Sequence, residues 1–253
     1  MVPKLMIWGL NGVGEIRPGD NLGRLIVDAS ISSGINLENG DVVVVTHVAV
    51  SKAEDRVFTL DHFRPSEESM RLAAELSKDP RHVEAILRES VKVVRMERGV
   101  IITKTRHGFI CANSGVDLSN VGEGMVALLP EDPDASARRI RLEIRRASGV
   151  DVAVIISDSF GRPFRRGTVN VAVGSSGLEA IWDRRGEPDR YGRPLRSKQV
   201  CVADELAAAA GLVMGQAAEG VPVAIIRGYP YRRSEESCVK RDVVRGEDED
   251  LFL

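Results

Sequence analysis

Two kinds of apolar run alternate along the chain. Continuous β-branched blocks at residues 42–45 and 152–156 predict buried strands, the first covered on both faces, and residues 222–227 predict a last strand. Residues 5–8 open the chain as a short apolar segment, and 169–173 form a weaker strand candidate. Elsewhere apolar residues recur every three or four positions, the spacing of an amphipathic helix. One such stretch covers 21–33, with Asp20 as cap, Gly34 as stop, and Leu22, Leu25, Ile26 and Ala29 on one face. A second helix opens at Ser66. A third opens at Asp79-Pro80 and is expected to run to about Met96, with Val83, Ile86, Leu87, Val91 and Val94 inward. An Arg-rich helix starts at Asp132-Pro133 and ends at Gly149, and a shorter one covers 201–210. Residues 100–105 and 109–112 flank Arg106-His107-Gly108 as the arms of a hairpin. Together these elements predict a mixed α+β fold.

The chain has 253 residues, 43% of them hydrophobic, which is enough for a sizeable core and argues against disorder. With 35 Lys and Arg against 37 Asp and Glu, the net charge of −2 gives no global case for a nucleic-acid or anionic-membrane partner. The three cysteines, Cys111, Cys201 and Cys238, are far apart and form no Cys-x-x-Cys, so they read as small buried apolar residues in a reducing compartment. The N-terminus has no signal-peptide pattern, and no apolar run reaches the roughly 18–20 residues of a membrane helix. The expectation is a soluble, cytoplasmic protein. No repeat or low-complexity linker divides it, so residues 1–253 are taken as one unit, and a two-lobed arrangement stays open. The acidic 247–250 stretch reads as a solvated end.

Familiar phosphate-binding signatures fail. Gly12-Val13-Gly14 begins a dinucleotide fingerprint, but Arg17 stands where its last glycine belongs, and no Gly-Lys-Ser/Thr exists. The four histidines, His47, His62, His82 and His107, lack metal-ligand spacing. Two loops stand out because each sets an aspartate just after an apolar strand: Asn113-Ser-Gly-Val-Asp117-Leu-Ser-Asn120, and Ser157-Asp158-Ser159-Phe-Gly-Arg162-Pro-Phe-Arg165-Arg166. Carboxylate and hydroxyl oxygens suit hard cations such as Mg²⁺ or Mn²⁺, and the three arginines could take phosphate or carboxylate. Equally, both aspartates could simply cap turns. Lys52, in Ser51-Lys52-Ala53-Glu54 after the first buried strand, reads either as a phosphate contact or as a solvated lysine. Gly215 and Gly220 either admit a ligand close to the backbone or form a helix stop and a turn. The cationic run 184–196 is a substrate-capture loop or a solvated one.

Taken in order, Ile16-Arg-Pro-Gly-Asp20, Ser51-Lys-Ala-Glu54, Ala112-Asn-Ser-Gly-Val-Asp117, Ser157-Asp-Ser-Phe-Gly-Arg-Pro-Phe-Arg-Arg-Gly167, Cys201-Val-Ala-Asp-Glu205 and Leu212-Val-Met-Gly-Gln216 resemble the GTP-dependent coenzyme F420-0:L-glutamate ligases over nearly the whole chain. The resemblance implies a family-specific fold, neither Rossmann nor P-loop, assembled as an intertwined homodimer. It also implies an amide ligase that phosphorylates the carboxylate of the deazaflavin coenzyme F420-0 with GTP. L-glutamate then displaces phosphate, giving F420-1 and, in a second round, γ-linked F420-2. Carried over by position, Asp117, Asp158, Ser159 and Gln216 are metal ligands for divalent ions, Mg²⁺ or Mn²⁺, two per site, with K⁺ as a further candidate. Gly12, Val13, Gly14, Glu15, Thr46, His47, Lys52, Asn120 and the run Gly215, Gln216, Ala217, Ala218, Glu219, Gly220, Val221 and Pro222 are nucleotide contacts. Arg162, Arg165 and Arg166 are candidates for the acidic substrates. Three departures stand out: Asp55 where the family usually has Gly, Ser159 where it usually has Thr, and Gln216 where some relatives have Glu. The remaining alternatives are a related ligase for another carboxylate acceptor and a GTP- and metal-binding regulator without turnover.

Overall fold

The computed structural model describes residues 4–246 and 248–250; part of the acidic tail, Glu247, therefore lies outside the described residues. With elements numbered in chain order, the central sheet contains β1 (Met6–Gly9), β2 (Val42–Thr46), β8 (Ala153–Arg162), β9 (Arg165–Ser176) and β12 (Val223–Arg227), arranged β1-β12-β2-β8-β9. β2 and β8 run parallel, Val42 opposite Ala153 and Thr46 opposite Ser157, while the other neighbours are antiparallel. The apolar blocks of β2, β8 and β12 are fully buried because helices cover both faces. On one side α1 (Leu22–Ser32) packs on α5 (Pro133–Ser148), which lies on β8 and β9; α6 (Val202–Met214) lies against β1, β9 and β12. Each fully buried Val or Ile side chain contributes roughly 1.5–3 kcal/mol relative to exposure. The architecture is the mixed α+β class expected, with no closed barrel among the described residues. No described helix is long and apolar enough to cross a membrane.

A second, smaller core is built from the segment between the sheet's second strand and α5. Leu72, Val83, Ile86, Ile101, Val126 and Leu128 form its centre. Around them stand α3 (Glu67–Leu76), α4 (Pro80–Glu89), the sheet β4 (Ser90–Glu97)–β5 (Val100–Thr105)–β6 (Ile110–Ala112), and the pair β3 (Val57–Thr59)–β7 (Met125–Ala127).

Several boundaries differ from the sequence reading. The third helix stops at Glu89, and residues expected in its last two turns form β4. Arg98 and Gly99 both have positive φ, 52° and 77°, the backbone of a tight two-residue hairpin turn, which hands the β-branched run to β5 instead. Asn21, not Asp20, caps α1 by accepting from Arg24 N at 2.8 Å; Asp20 accepts from Arg17 N at 2.7 Å. The chain after the first buried strand is a helix, α2 (His47–Ala53), capped by Thr46. Lys52 therefore sits in its last turn and not at a strand end. The segment around Asp158, expected as a loop, belongs to β8, which pairs with β9 far beyond the sheet as a two-stranded arm turning at Pro163-Phe164. Its polar alternation reads locally as a turn; cross-strand pairing makes it a strand.

Candidate active site

Asp158 lies just past the end of the parallel pair, where β2 gives way to α2. The pairing shifts there: Ile156 faces Gly174 but Ser157 faces Ala172, so Val173 bulges out of β9 next to the aspartate. His47, the first residue of α2, is buried, and its Nε2 stands 3.3 Å from Asp158 Oδ1. Asp117 reaches the same imidazole from the smaller core, Oδ2 at 4.0 Å from Nε2. The other ring nitrogen, Nδ1, is buried without a hydrogen-bond partner.

Asp117 is delivered by an unusual backbone. Asn113, Ser114 and Gly115 are all left-handed, with φ of 54°, 55° and 68°. A side chain at 115 would come within 2.8 Å of Leu129, so glycine is required there for space as well as for φ. Ser114 Oγ donates to Ile86 O at 3.0 Å and stands 2.8 Å from Thr103 Oγ1, which ties the turn to the smaller core. Asp117 then exchanges backbone hydrogen bonds with Ala127, N to O at 2.9 Å and O from N at 2.8 Å. Its carboxylate accepts from Ser119 N at 2.7 Å and Ser119 Oγ at 2.9 Å, so it caps a turn and faces His47 at once.

Burial opposes charge on His47, but the Asp158 carboxylate, its hydrogen bond and the charge of Asp117 outweigh it and hold the imidazole above its ordinary value. Burial likewise opposes charge on Asp158, yet the imidazole beside it and the Ser159 N–H hold its carboxyl below the usual range. Each partner thus favours the charged form of the other. Cys111 lies within reach of the same charge; burial and Asp158 push its thiol up to about 12.

The expected metal ligands divide. Asp117 and Asp158 converge, whereas Ser159 points to the opposite side of β8. There its Oγ stands 2.6 Å from Gln216 Oε1 and 3.1 Å from Asn170 Oδ1, and Gln216 Nε2 donates to the same Asn170 oxygen at 2.7 Å. Among the described residues no group of three His, Cys, Asp or Glu side chains is set to hold a metal. Two carboxylates with no further charged donor suit a hard cation that completes its shell with water and phosphate oxygen, as Mg²⁺ commonly does.

The candidate nucleotide contacts gather beside β1, β12 and β2. Lys52 Nζ donates to Glu15 Oε1 at 2.8 Å, joining α2 to the loop that carries Gly12, Val13 and Gly14. Gly12 and Gly14 have positive φ and open space around them, while Val13 is buried and anchors the loop. The second glycine loop lies alongside: a side chain at Gly9 would meet Val221 at 2.7 Å and Val213 O at 2.9 Å. Pro222 O accepts from Thr46 N at 3.0 Å, which sets that loop against the cap of α2. Gly215 ends α6 with φ of 77°, and Glu219 folds back to accept from Ala217 N at 2.7 Å, so both the helix-stop and turn readings hold. Ala217, Ala218 and Gly220 are exposed. Asn120 is exposed in a turn beyond Asp117, with φ of 54°.

Arg162, Arg165 and Arg166 lie at the tip of the β8–β9 arm, where Arg162 donates to Arg166 O at 2.9 Å. The cationic run 184–196 leaves the sheet at the end opposite Asp158, between β10 (Ile181–Asp183) and β11 (Gln199–Cys201). Two of its arginines are engaged there: Arg184 with Glu187 and over Trp182, Arg185 with Asp183. Sequence reasoning did not find the role of His47 as the hub of two carboxylates, nor Asn170 as the partner of Ser159 and Gln216. These residues are separated by up to 111 positions along the chain, and no local pattern links them.

Asp55, which stands where the resemblance expects glycine, has φ of 56°. Aspartate is among the few residues that tolerate this region.

Comparison with known proteins agrees with the six-segment resemblance. Residues 12–228 match the family model described as F420-0:Gamma-glutamyl ligase. A protein of Methanothermobacter thermautotrophicus named coenzyme F420:L-glutamate ligase is 48% identical over 244 residues, 96% of this chain and 97% of the relative. Proteins of the same name from Methanocaldococcus jannaschii and Archaeoglobus fulgidus are 47% and 40% identical, over 92% and 96% of this chain and 90% and 99% of theirs. Matched across most of its length by model and relatives alike, the chain belongs to the F420-0:gamma-glutamyl ligase family.

Proposed function

We propose that this protein joins L-glutamate to coenzyme F420-0 at the expense of GTP. The γ-phosphoryl group of GTP passes to the coenzyme carboxylate, forming an acyl phosphate and GDP. The glutamate amine attacks the acyl carbon, the C–O bond to phosphate breaks, and the amine gives up a proton as the amide forms. A second round on the new terminal carboxylate yields γ-linked F420-2.

The observation that carries this reading is the convergence of Asp117 and Asp158 on one buried histidine, beside two glycine loops and Lys52. Carboxylate and γ-phosphate repel each other, so their approach needs charge neutralisation and tight positioning. A divalent cation held by Asp117 and Asp158 would supply that neutralisation. His47, wedged between the two carboxylates, fixes their orientation. Lys52, on leaving Glu15, takes a phosphate oxygen, and the open backbone at Gly12 and Gly14 admits the phosphates closely. Aligning two substrates for in-line transfer contributes on the order of 7–11 kcal/mol to lowering the barrier.

The homodimer belongs to the same proposal. Among the described residues no strand pairs with the outer edges of the β8–β9 arm beyond Ser157, an open template for a second copy. Light scattering at working concentration tests it; a monomer would remove it. The ligation is tested by incubating the protein with F420-0, L-glutamate, GTP and Mn²⁺ or Mg²⁺ and reading product mass. A glutamyl increment that requires GTP, with GDP formed alongside, is expected. An unchanged coenzyme mass with GTP still bound would move the function to another acceptor or to binding alone.

A further inference from the structure

Beyond Asp158 the arm borders a cleft of about 330 Å³, within the size range of small-molecule sites. Along β8, Asp158, Phe160 and Arg162 are half-buried while Ser159 and Gly161 are exposed, the two-residue period of a strand with one covered face. Opposite this row, Phe109 and Cys111 are both buried. The rings of Phe109 and Phe160 meet edge to face, centroids 6.1 Å apart at 74°. Phe109 is held in place, since its N–H donates to Thr105 Oγ1 at 3.1 Å and its ring stacks on His107 at 5.8 Å. Ile110, Val171 and Val244 extend the apolar wall, while Asp204, which accepts from Ala172 N at 2.9 Å, Arg245 and Asp250 form a charged side of the cleft.

Nothing in phosphoryl transfer needs such walls. The N-terminal glycine loop and Lys52 lie toward β1, β12 and β2, whereas the cleft lies on the arm side of Asp158. Two ligands entering from these two sides would meet at the carboxylates. The apolar, aromatic wall of Phe109, Ile110, Phe160 and Val171 suits a flat aromatic body, and Arg162 at the end of the row suits an anion attached to it.

We infer that this cleft seats the planar aromatic body of the carboxylate-bearing acceptor, whose reacting end extends toward Asp158, about 7 Å from Phe160 along the strand. The inference rests on the ligation reading, and the test separates the two. In the full-length protein, Phe160→Ala and, independently, Ile110→Asp are compared with wild type. The KM for F420-0 is expected to rise about tenfold or more, while KM for GTP and for L-glutamate stays within about twofold. Binding of the deazaflavin chromophore with its polyol chain but no phosphate or carboxylate, followed by its fluorescence, is expected in wild type and weakened in both variants. Chromophore binding that the variants lose, in a protein that ligates nothing, would keep the cleft and sink the ligation reading. Ligation with an unchanged F420-0 KM in both folded variants, or no chromophore binding by wild type, would overturn the inference.

Discussion

The two hydrophobic cores solve different problems. In the larger one, Val42–Val45 and their neighbours on β8 and β12 are uninterrupted apolar strands buried on both faces, and this frame carries His47 and Asp158. The smaller core is made of short strands and amphipathic helices, and it carries Asp117 on three consecutive left-handed residues. One carboxylate thus comes from a stiff frame and the other from a lightly built one, and the site exists only where they meet. Packing far from the chemistry can therefore alter activity through Asp117 but hardly through Asp158.

Removing either carboxylate is the strongest challenge to that comparison. Asp158→Ala and Asp117→Ala are each expected to lower ligation by about 10²–10³ or more with the fold retained, measured by turnover beside circular dichroism. Near-normal turnover in one of them would mean that the two cores do not share the site.

Core truncations come next. Ile86→Ala and Ile225→Ala each remove a fully buried side chain, one from each core, and each is expected to cost about 2–5 kcal/mol in denaturant unfolding. Activity of the folded fraction should fall for Ile86→Ala, because the Ile86 carbonyl anchors Ser114 ahead of Asp117, and should hold for Ile225→Ala. Equal losses of activity would argue against selective transmission through the smaller core.

Acid should affect the smaller core through His82. Burial and the charge of Lys78 hold this imidazole below its ordinary value. A depressed histidine contributes stability that is complete above the unfolded value, about 6.5, and is lost as pH falls through the folded one. The Tm of wild type is therefore expected to drop more between pH 7 and 5 than that of His82→Asn; parallel curves would exclude the histidine. At the alkaline end, burial pushes the Cys111 and Cys201 thiols up to about 12. Both should resist iodoacetamide at pH 8 until the protein unfolds, as read by mass spectrometry. The stability that goes with these protonated thiols is present below the ordinary cysteine value and is lost as pH rises toward 12.

The smallest expected effect is at the link between the cores. Asp55→Gly relieves a left-handed aspartate and is expected to stabilise by up to about 1 kcal/mol, a rise of a few degrees or less in Tm by calorimetry.

The legibility of the chain follows the same division. β2, β12 and the Asp132–Gly149 boundaries of α5 could be read from local pattern because continuous burial, an Asx cap before proline and a terminal glycine each leave a local mark. The end of α4 could not, since Val91, Val93 and Val94 suit helix and strand alike until the Arg98-Gly99 turn brings β5 alongside. At the site, the aspartates were legible as residues and the resemblance named them as partners. Their geometry was not legible.

By itself the sequence determined the mixed α+β class, the main buried strands, the glycine loops and the family, all of which rest on local periodicity or on ordered motifs. Only the tertiary structure decided that Asp158 stands in a strand, that Ser159 and Gln216 turn to Asn170, and that His47 gathers Asp158 and Asp117. Those facts depend on contacts between residues 11 to 111 positions apart, whose closure is driven by burying two separate cores, and a chain read one segment at a time carries no record of it.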